Sequence, residues 1–285
     1  MRDPLTLTWS DIAAPVELRT RDLGALTTLE GPAAVAEVLR ILTDLQEIFE
    51  SRSSRAGAAA AGFNHLYIDT TTMVAQRLAA GGFAAPAFIC ALDIQFALRY
   101  LAAVRGMAVD ARAVPRSWQL VLDPREEASL MARMAAGVNA HVNFDLPFAL
   151  LAALRGARVF PAGPRQFLDL DDDQPSPEFR DYDEVNQIFH ALLPEALNFA
   201  TANDGFRRRF FRLAGVGDDA EVLIGAARRV AWVVCENHLW PLRADDPRSL
   251  RRRERLIDWL VARLGADMIG PAGQLAFGVA EDAAA

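Results

Sequence analysis

With 285 residues, 52% of them hydrophobic and 24% charged, the chain is long and apolar enough to bury a large core without disulfides or a structural metal. Its net charge of −7 disfavours nucleic acid as the main partner, because neutralising phosphates takes clustered positive charge. Every basic residue is arginine and there is no lysine, which excludes lysine Schiff bases, phosphate-loop lysines and lysine bases, and with them pyridoxal enzymes and P-loop nucleotide hydrolases.

From the N-terminus, Met1 to Leu18 mixes acidic, polar and apolar residues and lacks the apolar core of a secretory signal. No stretch approaches the roughly 20 apolar residues that cross a bilayer, so no membrane span is expected and the location read is cytoplasmic. Leu5 to Trp9 alternates like a short strand, as does Leu120 to Leu122. Elsewhere apolar residues recur at helical spacing. The pattern predicts helices over Pro32–Arg52, Ala58–Ala80, Ala87–Arg105, Pro124–Arg155, Asp183–Ala200, Asp218–Trp240 and Asp246–Leu264, with a short one over Gly205–Leu213. Start signals stand at Asp123-Pro124, Asp181 to Asp183, Asp218-Asp219 and Asp246-Pro247, and stops at Gly106, Gly156 and Gly265.

These elements make one all-α, bundle-like domain over 1–285, of about seven to nine helices. A Pro- and Asp-rich connection over 157–180 reads as a lid or linker, and 279–285 as a disordered tail. Cys90 and Cys235 fall in apolar helical patterns and read as buried free thiols. The arginine triplets at 207–209 and 251–253 read as solvated helix faces.

The chemistry concentrates in Gly137-Val138-Asn139-Ala140-His141-Val142-Asn143-Phe144-Asp145-Leu146-Pro147. Four polar residues interrupt an apolar helix there. His141 and Asp145 lie one turn apart on one face, and Asn139 and Asn143 form a second such pair. Pro147 lacks an amide hydrogen and should kink the helix. The pair suits acid–base work, with Asp145 orienting His141; a buried structural network is the competing reading. Asp93, among Ile89, Phe96 and Tyr100, should be paired or have a raised pKa, with His141 or a buried arginine as partner. Arg228 is the inward arginine expected to serve Asp93 or Asp145. Asp183 and Asn186 stack on one helix with His190. Tyr67, with His65, Thr70 and Thr71 nearby, and Trp118 could line a pocket or pack in the core. Glu236 and His238 are two residues apart and face different ways.

The Gly137–Leu146 string resembles the signature of a bacterial, all-helical family known mainly as a domain of unknown function, with a Gly-x-Asn-Ala-His-x-x-x-Asp-Leu helix. Leu92-Asp93 with Phe96-Ala97 and Tyr100, Asp183 with Asn186, and Ala227-Arg228 with Ala231-Trp232 are similar to further pieces of it. The resemblance spans about Gly62 to Trp240 and implies a site of Asp93, Asn139, His141, Asp145, Asp183, Asn186 and Arg228, with no reaction attached. A fainter likeness is to the zinc-dependent phospholipase C and nuclease superfamily, whose His-x-x-x-Asp helix is followed by proline. With four histidines this chain lacks that superfamily's three-zinc ligand set.

The expectation is a small-molecule enzyme of bacterial, including secondary, metabolism. His141, Asp145 and Asp93 would be catalytic; Asn139, Asn143, Tyr67, Arg228, Asp183 and Asn186 would bind a largely apolar, lipid-, polyketide- or terpenoid-like substrate. Cyclisation, isomerisation and hydrolysis all fit, with no cofactor or metal assigned. A mononuclear metal-dependent hydrolase and a non-catalytic binding or scaffold protein are the alternatives.

Overall fold

In the computed structural model the described residues are 9–51, 55–124, 128–158, 175–200, 216–243 and 245–270. They form α1 (Trp9–Arg19), α2 (Leu23–Leu26), α3 (Gly31–Glu50), α4 (Arg55–Ala79), α5 (Pro86–Val109), α6 (Arg116–Leu122), α7 (Leu130–Asn139), α8 (Leu146–Gly156), α9 (Pro177–Ala200), α10 (Val216–Val234) and α11 (Pro247–Ile269). Two π-helical turns, Ala140–Asp145 and Cys235–Leu239, join α7 to α8 and extend α10. No strand occurs among the described residues, and the all-α reading holds.

Helix α5 organises the interior. Its buried side chains, from Phe88 to Val104, point in every direction around the axis, as expected of a helix packed on all sides. It contacts α1, α3 and α8 most heavily. By length and composition α5 could cross a membrane, which corrects the expectation that no stretch is apolar enough; 61% of its most apolar window is buried inside the bundle. On α3, Val35, Val38, Leu42, Leu45 and Phe49 recur every three or four residues and are buried where α3 meets α4 and α5.

Two of the start signals do not act where expected. Asp246 does cap α11, accepting from the amides of Arg248 and Ser249, and Pro247 takes the first position. Asp181, however, lies inside α9 and accepts from the amides of Ala84 and Ala85 at the start of α5. The helix bearing His141 begins at Leu130, capped by Ser129, not at Pro124. The same device recurs at α6, whose first amides, Arg116 and Ser117, are received by Asp258 of α11. Acids in mid-helix thus satisfy the open ends of neighbours.

The strand expected over Leu120–Leu122 is the last turn of α6, where Trp118, Val121 and Leu122 are fully buried. Trp9 opens α1 and donates its indole N–H to the Leu122 carbonyl at 2.7 Å; the rest of the Leu5–Trp9 expectation lies outside the described residues. Gly156 ends α8 as expected. Gly106 and Gly265 are interior to α5 and α11: a β-carbon on Gly106 would lie 2.5 Å from Val114, and one on Gly265 3.4 Å from Asn139. They mark close packing, not helix ends. Most of the 157–180 connection, the Gly205–Leu213 helix and the 279–285 tail lie outside the described residues, and the last turns of that connection belong to α9.

Candidate active site

The motif helix does not simply kink at Pro147. It widens into the π-turn Ala140–Asp145, where the Leu146 amide reaches back five residues to the His141 carbonyl. The second π-turn ends in the same way, with the Trp240 amide on the Cys235 carbonyl and Pro241 next. In both, the turn finishes two residues before a proline, whose missing amide relaxes the ordinary four-residue ladder.

His141 and Asp145 are 3% and 1% exposed. The imidazole Nδ1–H donates to Asp145 Oδ2 at 3.0 Å, since a carboxylate only accepts. That fixes the tautomer with its lone pair on Nε2. Asp145 is further held by the Trp118 indole N–H on Oδ2 (2.8 Å) and by Arg99 Nε on Oδ1 (3.1 Å). Arg99 packs over the rings of Phe144 and Phe148 and donates a second bond, at 2.8 Å, to Glu254 of α11. A charged chain therefore runs Glu254–Arg99–Asp145–His141 from the half-exposed edge to the core. The sequence offered Arg228 as the counter-charge for Asp93 or Asp145; for Asp145 the structure gives that place to Arg99.

The imidazole stacks on Phe96 (3.4 Å between ring centroids) and meets Tyr67, Phe63, Trp118 and Tyr100 edge-on or tilted. Gly137 makes this box close, because a β-carbon there would lie 2.6 Å from the Phe63 ring. Burial among these rings lowers the His141 pKa, outweighing the Asp145 hydrogen bond that raises it. Nε2 is buried with no hydrogen-bond partner.

Asn139 and Asn143 turn the other way. Asn139 Nδ2 donates to the Val261 carbonyl of α11 at 3.0 Å, and Asn143 Nδ2 donates to Asn139 Oδ1 at 3.0 Å. This ladder ties the motif helix to α11, and neither residue lines the interior cavity described next. It is a structural network on the same helix as the His–Asp pair.

Beside His141 lies a cavity of about 40 Å³, walled by Tyr67, Thr70 and Thr71 of α4, Asp93 and Phe96 of α5, Val185 of α9 and Arg228 of α10, among others. Tyr67 and Phe96 touch both the imidazole and this space. The hydroxyls of Tyr67 and Thr71 and Oδ2 of Asp93 are buried without partners. Burial pushes Asp93 up to about 7 and Tyr67 well above the usual phenol range. Asp93 is thus raised as its apolar neighbours predict, but the expected pairing with His141 is taken by Asp145.

Arg228 points inward, 3% exposed. Its Nε donates to Asn186 Oδ1 and its Nη2 to the Tyr182 carbonyl, both at 2.7 Å, and the guanidinium lies over the Tyr182 ring. Asn186 in turn donates to Asp183, which pairs with Arg229. Asp183 and Asn186 therefore position Arg228 from outside the cavity. The His190 side chain lies outside the described residues. Of the predicted site, Asp93, Tyr67 and Arg228 line one space, with His141 and Asp145 behind its aromatic wall.

The sequence reading missed Arg99 and left Trp118 and Thr71 undecided. Arg99 had a signal: Leu92, Phe96, Arg99 and Ala103 share a helix face in which only Arg99 is polar. Among the described residues no three His, Cys, Asp or Glu side chains group as a metal site, and both oxygens of Asp145 are already taken by protein donors. The metal-dependent alternative finds no ligand set there. Cys90 and Cys235 are free and buried, and burial raises both, Cys235 to about 12.

Fold and site together define an all-helical domain with a buried His–Asp pair, held by Arg99, beside a small cavity whose largely apolar wall carries Tyr67, Thr71, Asp93 and Arg228. The chain belongs to a family of unknown function (DUF5995), whose model matches residues 35–271 and so takes in every residue of the candidate site. No curated protein and no solved structure matches it.

Proposed function

We propose that this protein is a small-molecule enzyme that moves protons on a largely apolar substrate, with His141 as the base. The observation that carries the reading is the asymmetry of the imidazole: Nδ1 is fixed by Asp145 while Nε2 is buried and unpartnered. A histidine kept only for structure would use both nitrogens, because an unmade buried bond costs about 1–3 kcal/mol. Depressed by burial, the ring is neutral near pH 7 and ready to accept a proton; Asp145, held in place by Trp118 and Arg99, stabilises the imidazolium that forms.

Asp93, pushed up to about 7, is the complementary acid. A base of lowered pKa and an acid of raised pKa near one cavity suit reactions that take a proton from one atom and return it to another. Isomerisation and cyclisation are the reactions of this kind, and lipid-, polyketide- or terpenoid-like molecules the substrates. At about 40 Å³ the cavity is far below the roughly 300–1,000 Å³ of a ligand site, so the body of the substrate enters when the Phe96 ring, which stacks on the imidazole and borders the cavity, swings aside and uncovers Nε2.

Incubating the protein in D2O with an extract of small apolar metabolites, followed by mass spectrometry, tests this. At least one compound should gain deuterium, at a rate falling about 100-fold or more in His141→Gln. Undiminished exchange in a folded His141→Gln protein would overturn the assignment.

A further inference from the structure

Resting on the acid–base reading above, we propose that the cavity between α4, α5, α9 and α10 is an oxyanion pocket that receives the carboxylate of an otherwise apolar substrate. Three polar atoms from two helices, Tyr67 Oη, Thr71 Oγ1 and Asp93 Oδ2, are unpartnered beside it, on side chains that are each nine-tenths or more buried. Tyr67 and Thr71 stand one turn apart on α4, so both hydroxyls face the same way.

Thr71 is the telling residue. A helical threonine readily satisfies itself by donating to the carbonyl four residues back. Thr43 and Thr70 both do so, at 2.8 and 2.9 Å. Thr71, beside Thr70 on the same helix, does not; its hydroxyl is left for something in the cavity.

The pocket's chemistry selects an acceptor. Tyr67 and Thr71 each offer an O–H. Arg228 brings a guanidinium to the wall, anchored by Asn186 and the Tyr182 carbonyl. Asp93 stays protonated up to about pH 7 through burial, and so donates as well. Hydroxyl, hydroxyl, carboxylic acid and guanidinium together match the several lone pairs of a carboxylate. The size agrees: a water needs about 10–15 Å³ of such space, so about 40 Å³ takes roughly three heavy atoms, one carbon and two oxygens.

Thermal unfolding of the full chain at pH 6, in sodium formate or acetate against equal sodium chloride, decides it. Either anion should raise Tm saturably, by about 3 °C at ten times its Kd. Tyr67→Phe and Thr71→Val should fold with Tm unchanged or higher, since neither hydroxyl bonds another group of the protein, yet need at least tenfold more anion for the same shift. His141→Gln should keep the response, so that anion binding and proton transfer fail separately. A wild-type protein indifferent to both anions, one stabilised by methylammonium chloride in their place, or a response surviving both hydroxyl substitutions would overturn the proposal.

Discussion

Two polar pairs occupy the same helix, each one turn long and only two residues out of register, and they end in opposite ways. Asn139 and Asn143 satisfy one another and the Val261 carbonyl. His141 and Asp145 are more deeply buried and more heavily bonded, yet one nitrogen, Nε2, is left with nothing. Buried polar groups in folded proteins are nearly always paired, so the ladder is what stability alone would produce and the orphan is what it would remove. The contrast separates a seam that holds α7 and its π-turn against α11 from a group that, in the proposed function, is kept for a ligand.

Asp145→Ala should break the contrast most severely. It strips the partner from His141 and Trp118 and one of two carboxylates from Arg99, and should lower unfolding free energy in urea by about 3–5 kcal/mol. Asp93→Asn should do the reverse. Burial raises this carboxyl from its ordinary 3.8 to about 7, so the unfolded chain releases the proton first. Stability therefore falls as pH climbs through that window, by up to about 4 kcal/mol. The asparagine variant should be the more stable protein at pH 8, with little difference at pH 4.

Asn139→Ala tests the satisfied side. Losing the Val261 bond and stranding Asn143 should cost about 1–3 kcal/mol, with proton exchange per folded molecule unchanged. His141→Gln should be mild in comparison, within about 1 kcal/mol at pH 7. Its signature lies in acid: the lowered His141 pKa means that wild-type stability, complete above pH 6.5, is lost as pH falls and the unfolded histidine protonates. Urea curves from pH 7 to pH 5 should show that slope in wild type and a shallower one in the variant.

How much of this was legible in sequence follows the physics of each signal. Spacing along one helix is local, so the His141–Asp145 and Asn139–Asn143 pairs could be read directly, as could the inward Asp93. Pairing between helices depends on crossing geometry. Arg99 and Arg228 both sit on buried faces, and nothing local tells which one reaches Asp145. Likewise Asp181 and Asp258 look like start signals or surface acids until the fold brings other helices' amides to them. Helix α1 was hidden by Pro15 within it, although Trp9, Ile12 and Val16 keep helical spacing and are buried. The π-turn could be sensed only as a disturbance near Pro147.

The most direct test is a nitrogen-15 NMR titration of the His141 ring in the folded, unliganded protein. A buried base held by Asp145 should carry its proton on Nδ1, leave Nε2 unprotonated near pH 7, and titrate below 6.5. A ring protonated on Nε2, or one titrating above 6.5, would contradict the account.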